Sequence, residues 1–405
     1  MRDVRFIAVA VALYGFANGL LLNATPQAVL SLKLSSAQLG MIATGVPVGY
    51  TLSCLIAGRV LSGVRAKYVI IAGTLVAIAG QLAMSQARSP VVCVIAQLSC
   101  GTAGGLFWPF ASSWMLDFQS ADVSKARILR HYNVAWTSAT SCGMFSSGML
   151  CQRGYIFETL ELAAAVVALS MLTVLIFPKS TAHATPKPDQ PGAKPASRLG
   201  LALLIAAVMA NFVALGTRAV LWNNYAELNA FYHFGAERMG FITALSLGGQ
   251  VTAFLLGHFY EPWLGLRRMY VVIAIVLIGA NLVFAFSEYL PLILAATFML
   301  GLTLALAFQT AIFAAIQFFS SPRAGTTFHE ACIGVGSMMP LMAGQLVAFL
   351  KTKGVEPIES LRAPFLCLIA LILAFLAVQM VLVGRRLAQR ALFTPVPSAV
   401  VHPET

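Results

Sequence analysis

Apolar runs of about twenty residues, the length that crosses roughly 30 Å of hydrocarbon, follow one another along the whole chain with short polar breaks between them. They predict helices near 5-29, 37-59, 67-87, 90-116, 131-151, 156-177, 199-223, 238-260, 269-287, 290-318, 326-350 and 364-384. The text is also written twice, about 200 residues apart. Leu34 to Gly40 is echoed by Phe234 to Gly240, and the same register pairs Gly49 with Gly249, Gln81 with Asn281 and Gly101 with Gly301. A slip of a few residues pairs Tyr14 with Asn211 and Ala135 to Gly148 with Ala331 to Gly344. A period this long is no solenoid unit. The pattern predicts an all-α membrane protein of twelve transmembrane helices in two pseudo-symmetric six-helix bundles.

Composition sets the solvent. The 405 residues are 59% hydrophobic and 10% charged, whereas a soluble domain carries about a quarter charged residues. The start of the chain has Arg2 and Arg5 before an apolar run, but that run outlasts a secretory signal and has a counterpart after residue 199, so it reads as the first span. Lys and Arg collect in cytoplasmic loops. With the N-terminus inside, eighteen of the 26 basic residues fall on the cytoplasmic side and seven on the other, with Arg218 left inside a span. Both termini are therefore expected in the cytoplasm, in a multi-pass protein of the inner membrane. The net charge of +12 reflects this bias and contact with anionic lipid heads, and nucleic-acid binding is not expected.

Residues 178 to 198 hold five prolines and almost no large apolar side chain, too little to bury a core. The expected organisation is a bundle over 1-178, a disordered cytoplasmic linker over 179-198, a second bundle over 199-392 and a disordered cytoplasmic tail over 393-405. The seven cysteines show no paired metal spacing and read as small packing residues.

The loop Gly58-Arg59-Val60-Leu61-Ser62-Gly63-Val64-Arg65-Ala66-Lys67 resembles a degraded form of the loop signature of the major facilitator superfamily, with Ser62 in place of its Asp. Gly101 to Pro109, Tyr132 to Trp136 and Phe328 to Ala331 followed by a Gly-rich run to Pro340 resemble a bacterial twelve-helix branch. Two departures stand out: Gln97 where proton-coupled antiporters often have Arg, and Met144 where their fifth helix has Pro. The resemblance implies the major facilitator fold and alternating access, with a site near the bilayer midplane between the halves, lined by spans one, four, seven and ten.

On those spans, Tyr14, Asn18, Leu21 and Thr25 share one helical face, as do Asn211, Leu215, Arg218 and Trp222. Pseudo-symmetry sets the two stripes face to face. Trp108 opposes Phe308, with Gln309 beside it, and Tyr50 matches Gln250. These give the candidate substrate site: Tyr14, Asn18, Tyr50, Trp108, Asn211, Arg218, Trp222, Gln250, Phe308 and Gln309. The structural alternatives are helix-to-helix hydrogen bonds for the amides and interface anchoring for the tryptophans. Arg218 is a functional candidate because a charge at the bilayer centre is costly, yet its depth leaves snorkelling to the outer interface open.

No acid is expected mid-membrane. Thr327 to Glu330 fits a capping box that opens span eleven; alternatively His329 and Glu330 form a proton-sensing pair at an inner gate. The resemblance places Asp117 in a charge cluster at the end of span four, with Arg65, Lys67 and Arg130 as candidate partners, and Asn133 matches His329 in the repeat. The sequence offers no nucleotide loop, metal cluster or nucleophile with a base, so neither an enzyme nor a cofactor is expected. The favoured reading is a monomeric secondary transporter of a small organic solute, with a proton as candidate coupling ion. The alternative is a transporter-fold assembly factor or sensor that moves nothing.

Overall fold

The computed structural model describes residues 2–61, 64–116, 125–176, 198–319 and 322–383. The helices are α1 (Arg2–Ser31), α2 (Ser36–Val60), α3 (Ala66–Ser85), α4 (Pro90–Leu116), α5 (Lys125–Gln152), α6 (Ile156–Ile176), α7 (Arg198–Asn223), α8 (Tyr225–Phe231), α9 (Ala236–Leu255), α10 (Gly257–Tyr260), α11 (Arg267–Phe286), α12 (Leu290–Phe318), α13 (Pro322–Gly336), α14 (Met339–Thr352) and α15 (Pro357–Leu382). The expected tail and most of the expected linker lie outside the described residues, as does Asp117.

Among the described residues ten segments are long and apolar enough to cross a membrane, one of them α13 and α14 taken together. The remaining two of the twelve expected spans are α5 and α9, of 28 and 20 residues. Their text is more polar for a physical reason: α5 packs along α9, so each covers a face of the other that would otherwise meet lipid. The span expected over 326-350 is broken after Gly336. Pro340 in the first turn of α14 has no N–H to continue the ladder and crowds the carbonyl four residues back.

Loop geometry follows the repeat. Ser35 caps α2 in a capping box with Gln38, while Gly235 at the matching start of α9 has no side chain to do so. Before each of these helices the chain turns through a left-handed residue, Lys33 at φ 54° and His233 at φ 56°, and Gly154 and Gly354 do the same after α5 and α14. All four turns close with a bond from the next N–H to the carbonyl five residues back: Leu34 to Val29, Phe234 to Asn229, Tyr155 to Leu150 and Val355 to Leu350. This is the six-to-one closure of a Schellman end. These turns share the face of the molecule opposite the start of α1, called the opposite face below.

In the first bundle α1 packs chiefly on α5 and α6, and α4 on α2 and α3; in the second, α12 packs on α9 and α7, and α15 on α11 and α7. Two seams join the bundles, α5 against α9 and α2 against α13 and α14. Near the opposite face both seams are glycine contacts: a Cβ on Gly148 would lie 2.7 Å from the Gly240 Cα, and one on Gly344 would lie 3.0 Å from the Gly40 Cα. Above them Ser36 donates to Glu227 Oε2 at 2.8 Å, and Lys351 Nζ reaches Ser36 Oγ at 2.9 Å and Glu227 Oε2 at 3.7 Å. This face is closed.

Candidate functional site

Tyr50 and Gln250 each lie fourteen residues along α2 and α9 from the opposite face, and Arg218 lies thirteen from it counted through α7 and on along α8, which at 1.5 Å per residue is about 20 Å, near the middle of a bilayer. Around this level the first bundle builds an aromatic wall. Tyr14 stacks on Phe107 with ring centroids 3.9 Å apart and planes 7° off parallel, and meets Trp108 edge-on at 5.1 Å. Trp108 packs against Trp136 at 5.9 Å and Tyr132 at 6.4 Å. The Tyr132 hydroxyl donates to the Trp108 carbonyl at 3.2 Å, and Trp136 Nε1 donates to Asn133 Oδ1 at 3.2 Å. Tyr14 is buried behind the wall, whereas Trp108, Trp136 and Asn133 are half-buried and present surface. Asn18, also half-buried, is the member of the α1 stripe that does so; Leu21 and Thr25 turn into their own bundle.

That is a correction to the expected face-to-face stripes. α1 touches α7 little, and Thr25 accepts from Gln97 Nε2 at 3.0 Å within the first bundle. The α7 stripe likewise turns inward: Asn211 is buried with neither amide atom paired, and Trp222 donates from Nε1 to Ser246 Oγ at 3.1 Å. The seams form elsewhere because the small residues that allow close backbone approach lie on α2, α5, α9 and α14.

A further correction concerns the acid. The helix expected to open at Thr327 starts at Pro322, where proline's fixed φ suits the first turn. Glu330 is therefore inside α13 rather than in its capping turn. Its Oε2 accepts a hydrogen bond from the Tyr50 hydroxyl across the seam, so a carboxyl does lie mid-membrane. Tyr132 and Cys54 are within electrostatic reach of it, and among the described residues it forms no ion pair. His329, expected as its partner, points elsewhere: it is buried edge-on to Phe308 at 4.6 Å, with both ring nitrogens unpaired. Phe308 faces Phe254 at 6.1 Å and sits within its own bundle, not against Trp108. Gln309 is half-buried nearby.

Arg218 does not snorkel. α8 continues α7 toward the opposite face after a single intervening residue, which leaves the guanidinium too deep to reach water past the helix end. Instead it lies over the Trp222 ring at 4.5 Å and 3.5 Å from Gln250 Oε1. It is half-buried and, among the described residues, meets no carboxylate.

The expected charge cluster on the other face cannot be assembled from the described residues. Arg65 and Arg130 are exposed, and Lys67 Nζ donates to the Leu175 carbonyl at 3.0 Å. Sequence reasoning missed Trp136 and Tyr132 as site residues, though with Asn133 their spacing puts them on one helix face. It also missed Ser36, Glu227 and Lys351, which belong to three separate segments and carry no local signal.

Twelve spans in two related bundles, closed at one face around a polar and aromatic midplane, define a membrane transporter of the secondary type. The sequence matches the family described as Major Facilitator Superfamily over residues 7–339, and the chain belongs to it. No curated protein matches the sequence. The crystal structure of the nucleoside transporter NupG is similar, with TM-score 0.74 and 15% identity over 93% of this chain and 99% of that one. A bacterial homologue of the human lysosomal transporter Spinster, inward-facing and unoccupied, is similar at TM-score 0.69 and 15% identity over 96% and 97%.

Proposed function

We propose that this protein moves a small polar organic solute across the cytoplasmic membrane by alternating access, coupled to a proton carried by Glu330. Both termini and the linker over 179–198 are assigned to the cytoplasm, so the closed face is the outer one. The observation that carries the reading is the Tyr50–Glu330 hydrogen bond. It ties the one mid-membrane acid of α13 to the other bundle, so protonation and the relative position of the bundles act on the same contact. A carboxyl that exchanges its proton with one side at a time is what coupling requires. The half-buried Asn18, Asn133, Trp108, Trp136, Arg218 and Gln309 supply donors, acceptors and ring faces for a solute.

Flux in proteoliposomes, with and without an imposed pH gradient, tests this. A proton-driven carrier accumulates its solute only with the gradient, and Glu330→Gln abolishes accumulation while solute counterflow persists. Accumulation unchanged in Glu330→Gln would remove the coupling role. If no solute moved under any gradient, the non-transporting role would be favoured.

A further inference from the structure

We infer that the solute is an organic anion with a flat ring, and that Arg218 and Glu330 couple it to the proton by charge balance. The inference rests on the transport reading above and names its substrate class.

Arg218 brings a full charge to the midplane with, among the described residues, only an amide oxygen and an indole face for company. An isolated charge at this depth is costly, and a neighbouring carboxylate is the usual compensation. Glu330 does not supply it by contact, being bonded to Tyr50 with Cys54 and Tyr132 around it. His329 faces Phe308 instead. The guanidinium fork is thus left for a ligand, and its planar donors match a carboxylate or a similar planar anion.

The ring follows from the opposite side. Ser141 Oγ donates to the Ala244 carbonyl at 2.8 Å, which fixes the level of α5 on α9. Trp136 and Gln250 lie five and six residues further along from these two, toward the other face, so Arg218 with its Gln250 partner and the Trp136 edge of the aromatic wall share one depth. A solute held there meets a cation on one bundle and two indole faces on the other.

The charges then explain coupling. With Glu330 ionised and the site empty, the acid offsets Arg218 and the midplane is neutral overall. With Glu330 protonated and the anion bound, it is neutral again. Proton without anion, or anion without proton, leaves a net charge in the low-dielectric interior and disfavours movement of the bundles. Solute and proton therefore cross together, and the loaded and empty transits each carry no net charge.

The test is binding to the purified full-length protein by isothermal titration. The probes are benzoate, indole-3-carboxylate and quinoline-2-carboxylate, each beside its uncharged amide and, for benzoate, the ring-saturated cyclohexanecarboxylate. Aromatic carboxylates are expected to bind about tenfold or more tighter than their amides, as loss of a charged hydrogen bond predicts, and benzoate tighter than its saturated counterpart. Arg218→Gln should erase the acid-over-amide preference. Should that variant fail to fold, Arg218→Lys serves: a severalfold weaker carboxylate affinity with unchanged amide affinity is expected. Amides binding as tightly as acids, a preference surviving Arg218→Gln, or no binding across the panel overturns the inference. Solute flux with no preference for anions would overturn it alone and leave the transport reading standing, whereas failure of every flux would remove the transport reading itself.

Discussion

The Tyr50 hydroxyl on α2 and the Glu330 carboxyl on α13 meet across the seam between the bundles, which makes one hydrogen bond both a proton site and a bundle contact. A hydrogen bond to a charged group contributes about 1.5–3 kcal/mol, and Tyr50→Phe removes it without changing the ring. That variant is expected to raise the fraction of molecules open at the opposite face by about tenfold or more, read from spin-label distances across that face. Glu330→Gln retains an acceptor for Tyr50 and should shift this fraction far less. Equal shifts in the two variants would separate the bond from the conformational equilibrium.

Ser36, Glu227 and Lys351 join the ends of α2, α8 and α14 over the closed face. The Lys351 side chain is 41% exposed and that of Glu227 12%, so the ion pair is worth at most about 1 kcal/mol. Lys351→Ala should open this face about two- to fivefold, read from spin-label distances across that face with Ser36 and Glu227 left intact. The effect should shrink as salt is raised, since surface pairs are screened over about 10 Å at 0.1 M. An opening unaffected by salt would point to packing rather than charge.

The repeat made the bundle architecture legible, because it needs only apolar run length and periodicity. The glycine seams were half legible: Gly40 matches Gly240 and Gly148 matches Gly344 in the repeat, yet the contacts join Gly40 with Gly344 and Gly148 with Gly240. A sequence repeat says which residues are equivalent, not which touch. The same limit misplaced the two stripes of α1 and α7. Glu330 was misread because Thr327 to Glu330 satisfies a local capping rule, and the earlier start at Pro322 overrode it. Arg218 stood out by charge alone, but its depth depended on α8, a helix the sequence reading ended before.

The glycine seams give a prediction about motion. A side chain at Gly148 would strike the Gly240 backbone in the other bundle, so it obstructs one state of the protein rather than one bundle's fold. Overpacking costs about 1–3 kcal/mol. Gly148→Val is expected to slow net flux about tenfold or more and to trap the opposite face open in spin-label distances. The variant should still purify as a folded helical protein. Normal flux with a closed face would mean that the seam yields to the added side chain.

Trp108 is the hub of the aromatic wall, in contact with Tyr14, Phe107, Tyr132 and Trp136. Gly104 lies one turn earlier on α4, and a Cβ there would meet Tyr50 Cδ2 at 3.4 Å and Trp108 Cδ1 at 3.7 Å, ordinary van der Waals contact. Each aromatic pair adds about 0.5–1.5 kcal/mol beyond area burial, so truncation loses both a ring face for the solute and the packing that aims Trp136. Trp108→Ala is expected to weaken solute binding by about tenfold while leaving the Arg218-dependent preference for anions intact, because the guanidinium is held by the other bundle. Trp108→Phe should recover most of the affinity. Titration calorimetry with the same acid and amide probes reads both quantities. Unchanged affinity in the alanine variant would take the wall out of the site, and a lost anion preference would show that Trp108 positions Arg218 instead.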